Sequence, residues 1–154
     1  MPKEQFLKSM RYLAASVSII SAKDSNSKCF AMTASSVTSL TLDPPSILVC
    51  VNHEASIYEV LNNKEQNFCI NLLQKDQQDI ATQCSIKGQE EERFADSHWD
   101  VDSIPYLQNS QANIFCSVDK VIPYQTHSIV VGKVKECINN HAFNTLMYAE
   151  GEYL

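Results

Sequence analysis

Short runs rich in apolar, β-branched and aromatic residues recur along this chain, separated by polar or proline-containing segments. These runs predict strands at residues 17–21, 30–37, 47–51, 68–72, 112–121, 128–136 and 146–149. Helical spacing is rarer. Phe6, Met10 and Leu13 fall on one face of a charged segment at the start. Ser56-Ile57-Tyr58-Glu59 has the Ser-x-x-Glu form of a capping box, which predicts a helix starting at Ser56 with Ile57, Val60 and Leu61 on its apolar face. A second helix is predicted over residues 76–85, with Ile80, Ala81 and Cys84 inward. Repeats and low-complexity tracts are absent.

Many strands with few helices point to a mainly β fold with helical inserts, a barrel or a sandwich. The chain has no G-x-G-x-x-G, so a dinucleotide would not be held in the Rossmann manner. At 154 residues and 17.3 kDa it fits one domain, residues 1–154, with a sizeable core.

Charge narrows the partners. Twelve Lys and Arg against 18 Asp and Glu give a net charge of −6, which disfavours a general nucleic-acid surface or an anionic membrane surface. No apolar stretch approaches a membrane-spanning length, and no small-residue cleavage site follows the first segment. The six cysteines sit mostly among apolar residues and form no C-x-x-C pair, as expected of reduced core thiols in a cytoplasmic protein. His53, His98 and His141 show no metal-ligand spacing, so no metal is expected.

The most informative segment is residues 30–53, FAMTASSVTSLTLDPPSILVCVNH. In a chain with only 3 Gly, Thr33, Ala34, Ser35 and Ser36 keep side chains short and add hydroxyls. A planar ligand can lie against such a backbone, whereas an ordinary strand and loop would use the same hydroxyls to satisfy local backbone groups.

MTASSVTSLTLDPPSILVCVN resembles the signature of the flavin reductase-like family of NAD(P)H:flavin oxidoreductases. FCINLL from Phe68, the acidic-Arg-Phe run Glu92-Arg93-Phe94 and the step Thr126-His127 resemble further family segments in the same order. Within that family the chain is most similar to reductase components of two-component 4-hydroxyphenylacetate monooxygenases.

The resemblance implies an FMN-binding split β-barrel and a homodimer with flavin at the subunit interface. It also implies reduction of FMN or FAD by NADH or NADPH and transfer of reduced flavin to a separate oxygenase such as an aromatic hydroxylase. Met32, Thr33, Ala34, Ser35 and Ser36 would meet the isoalloxazine and ribityl chain, followed by Val51, Asn52 and His53. Ser56 would hold the flavin phosphate or simply cap its helix. Arg93 would neutralise that phosphate or, flanked by Glu90, Glu91 and Glu92, serve as a surface ion-pair partner. Phe94 would be core or groove wall, and Tyr148 would offer an aromatic face to nicotinamide. His127 would face the nicotinamide side and position it or supply a proton.

Two departures from the family pattern stand out. Gln125-Thr126-His127 lacks the acidic neighbour usual before the histidine, and the tail carries Glu150 and Glu152 where basic residues are usual. Acidic groups there would repel the 2′-phosphate of NADPH, which favours NADH. A flavin-binding carrier without reductase activity is the alternative reading.

Overall fold

The computed structural model describes residues 1–95, 98–140 and 142–154; His141 lies outside the described residues. In chain order the elements are α1 (Pro2–Met10), β1 (Ala15–Ser16), β2 (Ser18–Lys23), β3 (Cys29–Ala34), β4 (Val37–Leu42), β5 (Pro45–Asn52), α2 (Tyr58–Leu61), β6 (Asn67–Leu72), α3 (Gln78–Gln83), β7 (Trp99–Asp100), β8 (Tyr106–Leu107), β9 (Ala112–Tyr124), β10 (His127–Asn139), β11 (Met147–Ala149) and β12 (Glu152–Tyr153). Short 3-10 turns cover Lys75–Gln77 and Glu90–Phe94.

A seven-stranded antiparallel sheet, ordered β3-β2-β6-β9-β10-β5-β4, forms the body. Its clearest alternation is in β5, where Ile47, Val49 and Val51 are buried while their neighbours are not. Those three meet Ile20, Phe68, Ile70 and Val130 in the main core. Strand β2 is buried on both faces. Ile20 and Ala22 face the main core, while Ile19 joins Val17, Leu73, Trp99, Leu107 and Leu146 in a second cluster behind the sheet. Strands buried on both sides carry little alternation, which is why Ser18-Ile19-Ile20 reads as a nearly continuous apolar run.

All seven predicted strand regions are strands, with one division. The expected 30–37 strand ends at Ala34, and after Ser35-Ser36 the chain starts β4 at Val37 on the far edge of the sheet. The second predicted helix is present as the Lys75–Gln77 turn followed by α3. The capping box at Ser56 does not form. Helix α2 starts at Tyr58 with Ile57 as its N-cap, no side chain caps it, and Ser56 lies in the preceding turn. Ile57 and Leu61 are fully buried, so apolar packing rather than a cap fixes this one-turn helix.

Among the described residues no helix is long and apolar enough to cross a membrane. All six cysteines are free thiols.

Candidate functional site

A cleft of about 270 Å³ opens between β3, the turn after β5 and the chain following α3. Met32 and Thr33 come from β3, Asn52 and Ser56 from the β5 side, and Lys87 and Arg93 from the third wall. A larger recess of about 820 Å³ adjoins it, sharing Ser56 and Glu90 and adding Lys28, Phe30 and Phe94. Five residues expected from the sequence thus meet in one cleft, namely Met32, Thr33, Asn52, Ser56 and Arg93. Phe94 lines the adjoining recess and packs on Trp99 with ring centroids 4.7 Å apart, so it is both core and wall.

Arg93 corrects the surface ion-pair reading. Its three glutamate neighbours suggest a solvated face, yet its residue exposure is only 6%. Nη1 donates to the Ala31 carbonyl at 2.5 Å and Nη2 to the Ile86 carbonyl at 2.8 Å. The two bonds tie the 3-10 turn to β3 and fix the guanidinium plane. Among the described residues the buried Nε has no hydrogen-bond partner, a costly arrangement for a charged donor.

The hydroxyl cluster divides its work. Thr33 Oγ1 donates to the Ala81 carbonyl at 2.6 Å, and the Thr33 amide donates to Cys84 O at 3.3 Å, docking β3 on α3. Ser36 Oγ donates to the Cys50 carbonyl at 3.2 Å and accepts from its amide at 3.3 Å. Both hydroxyls therefore satisfy backbone groups of neighbouring elements rather than of their own segment. Ala34 and Val51 belong to the core, which leaves only their backbone for a ligand.

Ser35 and Tyr148 meet elsewhere, in a cleft against α1 that also holds Lys8, Arg11 and Glu150. The Glu150 amide donates to the Arg11 carbonyl at 2.7 Å, and Tyr148 packs edge-on against Tyr153 at 5.2 Å. The basic side chains absent from the tail are thus supplied here by the first helix.

His127 opens β10 and is exposed, opposite Asn52 on β5 and Tyr124 on β9. Its Nδ1 lies 2.8 Å from Thr126 Oγ1. His53 is turned inward: Nε2 lies 2.9 Å from the Oγ of fully buried Ser128, which is also 3.2 Å from the Tyr58 hydroxyl. The His53 ring stacks on Tyr58 at 4.6 Å and lines neither of the two adjoining clefts.

Electrostatics around the cleft follow burial and backbone donors. Burial pushes the Cys84 thiol up to about 11, opposed by the positive charge of Arg93. Amide donation from Gly88, then from its own N–H, holds Glu90 below the usual carboxylate range. Sequence reasoning missed Lys87, Cys84 and Ser85 as wall residues, as well as Ser128 and Tyr58 as partners of His53. Lys87 had one local signal, the following Gly88, which adopts a left-handed φ of 92°.

Comparison with known proteins places this geometry. The flavin reductase like domain model matches residues 10–154. The reductase component of an FADH2-dependent resorcinol hydroxylase from Rhizobium sp. is 31% identical over 153 residues, covering 97% of this chain and 85% of that protein. An NADH-dependent FMN reductase, RutF, from Pseudomonas syringae is 30% identical over 150 residues, covering 96% and 83%. A crystal structure from Haemophilus somnus, described as a flavin reductase, superposes with a TM-score of 0.89 at 30% identity, covering 98% of this chain and 97% of that one. The fold is accordingly a split β-barrel, and the chain belongs to the flavin reductase-like family of NAD(P)H:flavin oxidoreductases.

Proposed function

We propose that this protein uses NADH to reduce FMN or FAD and hands the reduced flavin to a separate oxygenase, an aromatic hydroxylase being the leading partner. The observation that carries the reading is the cleft that brings the cationic side chains of Arg93 and Lys87 together with Thr33, Asn52 and Ser56. The residues present fit a flavin phosphate. Arg93 and Lys87 supply positive charge against Glu54 and Glu90 on the same walls, and Ser56 supplies a hydroxyl in a turn not committed to capping a helix. Met32 and the β3 backbone would hold the ring and ribityl chain.

Flavin supplies the hydride acceptor when bound, so the protein's task is orientation and exclusion of water. Reacting atoms must approach to roughly 3 to 3.5 Å, and the short side chain of Ser35 would permit that approach in the cleft it shares with Tyr148. His127, with Nδ1 engaged by Thr126, presents Nε2 to the nicotinamide side. Tyr148 would give it an aromatic face.

NADH preference is supported by the names of the relatives, FMN reductase (NADH) among them. The acidic-tail argument contributes less, since Lys8 and Arg11 share the cleft with Glu150.

A second copy of the chain would cover α1, which has no buried residue and exposes Phe6, Leu7 and Met10, together with Leu13 in the segment after it. Six free thiols support a reducing, cytoplasmic setting.

Anaerobic stopped-flow absorbance with FMN, then FAD, against NADH and NADPH tests the reading. Multiple turnover of added free flavin is expected. Binding without bleaching would leave a flavin carrier, and absence of binding would overturn the flavin assignment.

A further inference from the structure

We propose that His53 is a positioning residue that sets the His127 imidazole by holding the residues on both sides of it. The inference rests on the reading that His127 meets nicotinamide. The His53 amide donates to the Thr126 carbonyl at 2.9 Å, and its Nε2 lies 2.9 Å from Ser128 Oγ. One residue thus grips positions 126 and 128 and leaves 127 between them.

The turn that His53 grips needs such support. Gln125 has a φ of 52°, a left-handed backbone that costs a residue with a Cβ free energy. The first register pair of β10 is His127 with Asn52, so any relaxation of this turn moves His127 directly. The side-chain anchor lies deeper: Ser128 is fully buried, and its Oγ is shared between His53 Nε2 and the Tyr58 hydroxyl at 3.2 Å. Stacking of His53 on Tyr58 at 4.6 Å fixes the ring that makes the contact.

Orientation of His127 follows from the same arrangement. Thr126 Oγ1 lies 2.8 Å from His127 Nδ1. Whichever atom donates, Nε2 is the nitrogen left for a ligand. Thr126 is therefore held on its carbonyl by His53 while its hydroxyl holds His127, a chain of two contacts from the anchor to the imidazole. Because His53 lines neither adjoining cleft, its influence on hydride transfer passes through His127 rather than through flavin.

The test is a double-mutant cycle read in steady-state kinetics and flavin binding. His53→Ala and Ser128→Ala are each expected to lower kcat/KM for NADH about tenfold, through loss of pre-positioning, with FMN affinity unchanged. His53→Gln, which places a hydrogen-bonding group near the site of Nε2, restores most of the loss. In a His127→Ala background, His53→Ala has no further effect.

Equal losses from His53→Ala in both backgrounds would overturn the inference, as would a matching fall in FMN affinity. Should His53→Ala not fold, Ser128→Ala carries the same cycle against His127→Ala. If His127→Ala alone leaves kcat/KM for NADH unchanged, the reading of His127 fails and the inference with it. If His127→Ala abolishes activity while His53→Ala and Ser128→Ala do nothing, the inference alone fails.

Discussion

Asn113 donates its side-chain amide to Asn71 Oδ1 at 2.8 Å, across the β6–β9 pair and out of reach of water. Asn71 Oδ1 also accepts the Leu107 amide at 2.9 Å. Its Nδ2 donates to the Ile19 carbonyl at 2.8 Å and to Ser21 Oγ at 2.9 Å. Ser21 Oγ in turn donates to the Pro105 carbonyl at 2.5 Å. One asparagine thereby attaches the segment carrying β8 to the back of the main sheet. Asn71→Leu leaves several buried donors and acceptors unpaired, and a loss of about 3 kcal/mol is expected in denaturant unfolding. Amide exchange should quicken first at Leu107.

Gly132 and Phe68 give a steric prediction. A Cβ on Gly132 would stand 2.7 Å from Phe68 Cζ and 3.1 Å from Cys116 Cβ. Phe68 is fully buried in the main core and has little room to move. Gly132→Ala should therefore destabilise by about 1–3 kcal/mol, and Phe68→Leu in the same chain should recover part of it. Thermal unfolding of both variants decides the point. An undiminished midpoint for Gly132→Ala would show that the ring yields more easily than close packing allows.

Arg93 links stability and binding. Arg93→Met keeps much of the buried stem but loses the donors to Ala31 and Ile86 as well as the free Nε. FMN affinity is expected to fall at least about tenfold, with riboflavin affinity less affected because it carries no phosphate. Arg93→Lys should recover little, since an ammonium cannot serve two carbonyls and an anion in one plane. Equal losses for FMN and riboflavin would assign Arg93 to scaffolding alone.

Buried thiols predict an alkaline limit. Burial pushes Cys84 up to about 11 and Cys116 up to about 12 from the ordinary thiol value of 9.0. A pKa raised on folding leaves stability fully present below pH 9, where the thiols are neutral in both states. That stability is lost as pH climbs through 9 towards 11, because unfolded thiols ionise first. The thermal midpoint should decline over this window, and Cys84→Ala should flatten the decline relative to its own value at pH 8. Thiol reagents at pH 8 should modify exposed Cys137 before Cys69, Cys84 or Cys116.

The first helix predicts self-association. Phe6 is 60% exposed on an element that buries nothing within its own subunit, and Leu13, just after that element, is 64% exposed. Phe6→Asp combined with Leu13→Asp should shift sedimentation from dimer to monomer while circular dichroism keeps the β signal. Flavin affinity should fall with it if the interface completes the site. A monomer in the unaltered protein would remove this argument.

Much of the fold was legible because strands declare themselves locally. In β5 the short apolar run ILVCV, set between Pro-Pro and Asn-His, marks a strand, and the pleat then buries Ile47, Val49 and Val51 more deeply than Leu48 and Cys50. The division of residues 30–37 was harder to see, because no Gly or Pro marks Ser35-Ser36 as a break, yet there the backbone leaves one edge of the sheet for the other. Ser56 misled for a related reason. Its spacing to Glu59 is that of a capping box, but packing of Ile57 and Leu61 moves the start of the helix past it.

The sequence by itself determined the mainly β character, most strand positions, the two helical inserts and the family signature from Met32 to Asn52. These depend on side-chain periodicity and on contiguous motifs, and both are local. Tertiary structure alone decided that Arg93 is buried, since its carbonyl partner Ala31 lies 62 residues away on another strand. It also decided that Lys8 and Arg11 share a cleft with Tyr148, and that His53 reaches Ser128 across 75 residues of chain. No local pattern encodes such pairs, because the closing of the sheet brings them together only after each strand has found its neighbours.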